Sequence, residues 1–188
     1  MECLYDVTMS MSVVLVTGGF DQKVRFWEAT SGSCIRTIRY GESQVNTVRI
    51  SKDKLLIAAG GNPLIRIYDV NSSHDPALMT LEGHSQNVTC LGFQQDGKWV
   101  YSCAEDGTIK VWDMRTGSCQ ISVDTRSSLN SVCLHPRETE LITGDHSGSV
   151  KIWDMAGGAC RVEHIPIPEV PIRSLSVVGY MIYASSCL

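Results

Sequence analysis

Trp99 to Arg115 reads WVYSCAEDGTIKVWDMR, and Gly83-His84 stands sixteen residues ahead of its first residue. The stretch divides into two strands, Val100 to Cys103 and Thr108 to Trp112, around an acidic Asp-Gly turn. Alternating apolar residues on either side of Asp-Gly are a strong short-range signal for a hairpin, because the glycine supplies the positive backbone angle that the turn needs.

A Gly-His, a strand, a serine-bearing strand, an acidic turn and a closing Trp-Asp, in that order, form the signature of one propeller blade. His84, Ser102, Asp106 and Trp112 are therefore a candidate structural tetrad, joined by hydrogen bonds. Such a tetrad supplies partners to a buried histidine and a buried aspartate, each of which would cost about 1–3 kcal/mol if orphaned. The pattern recurs. VRFWE ends at Trp27-Glu28, LIRIYD at Tyr68-Asp69, TIKVWD at Trp112-Asp113 and SVKIWD at Trp153-Asp154. The repeat aromatics Trp27, Tyr68, Trp112 and Trp153 lie 41, 44 and 41 residues apart, inside the roughly 40–45-residue period of WD repeats.

A second marker is independent of the first. Apolar residues at offsets 0, 3 and 5 recur as Val45, Val48, Ile50; Val88, Leu91, Phe93; Leu129, Val132, Leu134; and Ile172, Leu175, Val177. The first three sets precede an aromatic by 23 or 24 residues, so the fourth wants its aromatic near position 196, beyond Leu188. The expected fold is all-β: a WD40 propeller of four blades plus the start of a fifth.

Residues 1–12 have no repeat partner and are expected to be a leader, poorly ordered or a lone strand. Residues 13–164 carry the four blades, and residues 165–188 a connector and the incomplete fifth. Thr17, Asp21 and Trp27 hold tetrad positions in the first blade, without a Gly-His. In the second, Asn62 replaces the turn aspartate and Tyr68 the tryptophan, and Asn71 to Pro76 reads as a loop. The fourth has Thr143 and Trp153, with Ser147 at the turn position and Asp145 two residues early. Ile165 to Pro171, IPIPEVP, is a stiff connector; one strand and an apolar tail, GYMIYASSCL, follow.

The formal net charge of −4 offers no field for nucleic acid or an anionic membrane. Glu2 and Asp6 stand where a signal peptide wants basic residues, and no run approaches the roughly 20 apolar residues of a membrane span. A cytoplasmic location and no membrane insertion are expected. Cys34, Cys119 and Cys160 each follow a tryptophan by seven residues. Equivalent places on successive blades lie too far apart for disulfides, so these cysteines are expected to be reduced, small, buried residues of the outer strands. The histidines share no ligand spacing and no zinc-type cysteine cluster exists, so no metal and no cofactor are expected.

The segments GGFDQKVRFWEATSGSCIRTI, SQVN, IRIYDVNS, EDGTIKVWDMRTGSCQ and CLHPRETELITGDHSGSVKIWD resemble the small G-beta-like propeller subunits of the target-of-rapamycin kinase complexes. The similarity runs in register from about Val13 to Ile172. Its specificity comes from YD in the second blade together with LHP and GDHSG in the fourth. That family has seven blades, so the resemblance is to its N-terminal part, and it fades after Ile172. It implies a non-catalytic subunit that binds and stabilises the kinase domain of a target-of-rapamycin complex in nutrient and growth signalling. An incomplete array also implies self-association through open propeller edges, with Ile172, Leu175, Val177, Met181 and Ile182 as an exposed apolar patch.

Other chemistries fare worse. Asp145-His146-Ser147 names a catalytic triad, but consecutive residues of an extended segment face opposite sides. A carboxylate pair at Glu105-Asp106 is weakened as an acid/base site because the tetrad already employs Asp106. Trp112, Asp113 and Arg115 form a WDxR box like that by which some WD proteins dock on the adaptor of a cullin-RING ubiquitin ligase, which makes a substrate receptor the alternative function. Arg25, Arg66, Lys110 and Lys151 stand two residues before the aromatics, where their stems can cover the rings. Phe20, Glu105 and His146 precede the turn position of the tetrad and are candidates for a partner face.

Overall fold

The computed structural model describes residues 14–41, 43–53, 55–72, 77–166, 168–179 and 181–186. The expected leader, residues 1–12, and most of the expected loop, residues 73–76, lie outside the described residues. Every described regular element is a strand.

The first sheet runs β1 (Val14–Gly18), β2 (Lys23–Glu28) and β3 (Cys34–Arg39). The second runs β4 (Thr47–Ile50), β5 (Leu56–Gly60), β6 (Ile65–Asp69) and β7 (Met79–Leu81). The third holds β8 (Val88–Phe93), β9 (Trp99–Ala104), β10 (Thr108–Asp113) and β11 (Cys119–Asp124). The fourth holds β12 (Leu129–Leu134), β13 (Glu140–Asp145), β14 (Val150–Asp154) and β15 (Cys160–His164). A hairpin of β16 (Ile172–Val178) and β17 (Met181–Ser186) follows. All neighbours are antiparallel and consecutive in the chain, so each unit is a meander built from local turns. This is the architecture of a WD40 propeller fragment. The expected apolar tail is thus the strand β17, paired with β16 from Val178–Met181 to Ile172–Ser186.

The units pack in series. Offsets 0 and 3 of the inner strands, Val88, Leu91, Leu129, Val132, Ile172 and Leu175, are buried. Val88 and Leu91 meet Gly60, and Ile172 and Leu175 meet Gly144, each a glycine in the sheet before them. A Cβ added to Gly60 would lie 2.8 Å from Val88 Cγ1, and one added to Gly144 would lie 2.9 Å from Ile172 Cβ. Gly18 receives Val45 and Val48 in the same way. Offset 5 is less covered, and Ile50 is exposed. The ring aromatics face backwards along the series: Tyr68 packs with Val24, Phe26 and Ile38, Trp112 with Ile65, Ile67 and Leu81, and Trp153 with Cys103, Ile109 and Val111. Side chains staple neighbouring inner strands, Asn46 Nδ2 donating to Val88 O at 3.3 Å, Thr89 Oγ1 to Leu129 O at 2.8 Å and Asn130 Nδ2 to Ile172 O at 2.9 Å. Residues of β1, β4, β8, β12 and β16 line one cavity of about 500 Å³.

Two expectations are corrected here. Cys34, Cys119 and Cys160 are free thiols as expected but exposed. Each pairs in register with a ring tryptophan, at a bulge that opens the outer edge strand, so the thiol faces solvent. Each thiol donates to the carbonyl two residues on, of Arg36, Ile121 and Val162 respectively. The supposed patch also shrinks: Ile172 and Leu175 are buried against Ile142 and Val150 and Val177 is partly covered, leaving Met181 and Ile182 exposed. The charged heads of the cations two residues before the aromatics find polar or aromatic partners. Arg25 pairs with Asp21, Arg66 lies 5.0 Å from the centroid of Tyr40, and Lys110 Nζ donates to Ser122 Oγ at 2.8 Å. Lys151 lies 3.4 Å from Asp145 and 3.3 Å from Glu163.

Candidate functional site

The third sheet brings the four tetrad residues together. Trp112 Nε1 donates to Ser102 Oγ at 2.9 Å, and Ser102 Oγ is 2.8 Å from His84 Nε2. His84 Nδ1 is 3.1 Å from Asp106 Oδ2 and equally far from Thr108 Oγ1. One proton arrangement satisfies the chain: the serine hydroxyl donates to Nε2, and the Nδ1 proton serves the carboxylate. Asp106 also accepts from Ser85 N at 2.9 Å, Thr108 N at 2.8 Å and Thr108 Oγ1 at 2.7 Å. Gly107, at a φ of 77°, allows the turn to bend back beneath these donors.

Burial holds the His84 imidazole below its ordinary 6.5, against the pull of Asp106 and with help from Lys110. Burial alone would raise the Asp106 carboxyl, but bonds from Thr108 and Ser85 and the nearby His84 outweigh it and hold the group below 3.8. A neutral histidine beside a carboxylate could serve proton transfer. Here every lone pair and proton of the pair is committed inward, and the His84 side chain has no exposed surface. The geometry is that of a clasp.

The other sheets solve the same positions differently. Trp27 Nε1 donates to Thr17 Oγ1 at 2.8 Å and Trp153 Nε1 to Thr143 Oγ1 at 2.9 Å. In the second sheet Ala59 takes the register place of Ser102, beside Tyr68. The place of His84, twenty-eight residues ahead of the aromatic, is filled by Tyr40 and Thr125. Tyr40 OH donates to Leu64 O at 2.5 Å, and Thr125 Oγ1 to Gly107 O at 2.8 Å. Sequence reasoning missed both, although that constant offset marks them. In the fourth sheet the buried Asp145, rather than Ser147, closes the turn. It accepts from Ser147 N at 3.0 Å, Ser147 Oγ at 2.7 Å and Ser149 N at 2.9 Å. Its charge is met by Lys151, which explains why no histidine is needed there.

Outside these clasps stand the turn tips. Phe20 is 87% exposed, and Glu105 and His146 are exposed at the equivalent turns of the third and fourth sheets. Glu105 accepts from Asn87 Nδ2 at 2.9 Å, beside a cavity of about 320 Å³ lined by Asn46, Asn87, Asn130 and Arg173. The WDxR box is divided. Trp112 is buried, Asp113 Oδ1 accepts from Arg115 N at 2.7 Å to close the next turn, and Arg115 is exposed. His146 points outward while Ser147 bonds to Asp145, so the three consecutive residues form no relay. Among the described residues no group of three histidine, cysteine or carboxylate side chains could hold a metal ion, and no helix is long and apolar enough to cross a membrane.

The sequence profile of the WD domain, G-beta repeat family matches residues 32–69, 76–113 and 117–154. The chain is 49% identical over 166 residues to the target of rapamycin complex subunit wat1 of Schizosaccharomyces pombe, covering 88% of this chain and 53% of that protein. It is 49% identical over 177 residues to the target of rapamycin complex subunit LST8-1 of Arabidopsis thaliana, covering 93% and 58%. With the target of rapamycin complex subunit LST8 of Bos taurus it shares 42% over 167 residues, covering 88% and 51%. The chain thus spans about half the length of the curated relatives it matches.

Proposed function

Because this chain belongs to the WD domain, G-beta repeat family, we propose that it serves as a non-catalytic interaction subunit of a target of rapamycin complex, like the relatives it is similar to. In this reading it binds the kinase domain of that complex and stabilises it, in the cytoplasm, as part of nutrient and growth signalling. The observation that carries the proposal is the 49% identity with two such subunits from distant organisms over most of this chain. The geometry supports it. The polar chemistry of the blades is consumed by internal clasps, which leaves shape and the turn tips Phe20, Glu105 and His146 to meet a partner.

Affinity purification of the tagged full chain with mass spectrometry tests this. Recovery of a target of rapamycin kinase is expected. Recovery of a cullin adaptor in its place would favour the substrate-receptor alternative drawn from Trp112, Asp113 and Arg115, and recovery of neither would overturn the proposal.

A further inference from the structure

The third and fourth sheets leave space between them. A cavity of about 520 Å³ lies there, walled by Trp99, Tyr101, Val111 and Ile121 of the third unit and by Leu134 and Met155 of the fourth. Trp99 and Tyr101 stand two residues apart on β9, so they share the face that packs toward the fourth sheet. The matching places on β5 hold Leu56 and Ala58, which carry smaller side chains. Both walls are internal to the chain. The hairpin packs on the opposite face of the fourth sheet, where Ile172 and Leu175 meet Ile142 and Val150. The cavity reaches solvent past Gln120, Thr139 and Ala156, all exposed.

One polar atom of the lining residues is left over. Gln94 Nε2 donates to Glu138 Oε2 at 2.8 Å, and because a carboxylate only accepts, this bond fixes the amide with its oxygen turned away from Glu138. That oxygen, Oε1, is buried and has no hydrogen-bond partner among the described residues. A buried acceptor without a donor is costly. At the same place in the second sheet Ser51 Oγ accepts from Leu56 N at 2.9 Å and donates to Asp53, so that hydroxyl is satisfied. The charges at the rim are answered as well. Glu138 accepts also from Gln95 N at 3.1 Å, and Arg161 reaches Asp154 at 2.7 Å and Glu140 at 2.9 Å. A charged ligand would lose its hydration here and find no unanswered charge in return.

We propose that this cavity binds a neutral small molecule built of linked aromatic rings with one N–H donor, the rings against Trp99, Tyr101 and Met155 and the donor on Gln94 Oε1. The volume is that of a site for a ligand of drug size. Apolar walls favour rings, and a single spare acceptor calls for a single donor. The inference rests on the packing of two sheets and stands apart from the proposed kinase partnership.

The test titrates the full 188-residue chain with 2-phenylindole, which has linked rings and one N–H, and with its N-methyl derivative, which keeps the rings and loses the donor. Followed by ligand fluorescence, saturable binding of 2-phenylindole is expected, weakened about tenfold or more by the N-methyl group. This comparison is made on the unchanged protein, so it does not depend on how a variant folds. In Gln94→Met, which keeps the length of the side chain and removes the acceptor, the two probes should bind alike. Ala156→Tyr, a change at the exposed mouth, should weaken both. Absence of saturable binding, equal affinity of the two probes for the parent, or a preference that persists in Gln94→Met would overturn the site. Binding undiminished by Ala156→Tyr would put the probes elsewhere and overturn it too.

Discussion

The indole N–H of Trp112 donates to Ser102 Oγ across adjacent strands at 2.9 Å, both residues buried, and the serine passes the chain on to His84. The bond fixes the tilt of a ring that packs on Ile65, Ile67 and Leu81 of the preceding sheet. A polar contact within one sheet therefore sets an apolar contact between two.

Ser102→Ala is expected to destabilise the chain by about 1–3 kcal/mol, since it orphans both the Trp112 indole and His84 Nε2. Ser176→Ala, the same change at an exposed strand position, should alter little. Urea denaturation of the two variants checks this, and equal midpoints contradict the clasp.

Asp106→Ala should cost a similar amount, because it strips partners from His84, Ser85 and Thr108 at once. The comparison is Asp96→Ala, whose carboxylate makes an exposed pair with Lys98 at 3.9 Å. Thermal melts should separate the two variants clearly.

Stability should fall with acid. Burial holds folded His84 below 6.5, so the unfolded chain binds the extra proton first, and stability present above pH 6.5 is lost as pH falls below it. Asp106, held below 3.8, adds a second loss of the same sign once pH falls below that value. Melting temperature measured from pH 7 to pH 5 should decline in the parent and more shallowly in His84→Gln. Parallel profiles would mean that His84 is not the titrating group.

Gly144→Ala should destabilise by about 1–3 kcal/mol, because the new methyl group would press on Ile172 Cβ at 2.9 Å in the next inner strand. Gly157→Ala meets nothing within 4 Å. If both melt alike, the serial packing of small residue on inner strand is not what joins these units.

The fold was legible because repetition multiplies weak signals. One Trp-Asp is common, but four aromatics at a near-constant period with matching upstream strands leave little else. The third-sheet tetrad was legible because each member occupies a motif position. What escaped were substitutions that keep the place and change the chemistry. Asp145 and Lys151 replace an aspartate-histidine contact with an ion pair and shift the acid by two residues. Tyr40 and Thr125 stand at the offset that His84 holds before Trp112. The exposure of Cys34, Cys119 and Cys160 was hidden because apolar character says nothing of whether an outer strand has a neighbour on its far side. The turn tips carried even less signal, since an exposed residue leaves no pattern until a partner is present.

Under the proposed function, the turn tips of this chain meet a target of rapamycin kinase. The most direct measurement is co-elution of the purified chain with the kinase's purified catalytic region on size exclusion with light scattering, for the parent and for Phe20→Ala/His146→Ala. Both side chains are exposed, so the double variant should melt as the parent does. A stable one-to-one complex is expected for the parent and a weakened or absent one for the variant. Separate elution of the parent chain, or an undiminished complex with the variant, would contradict it.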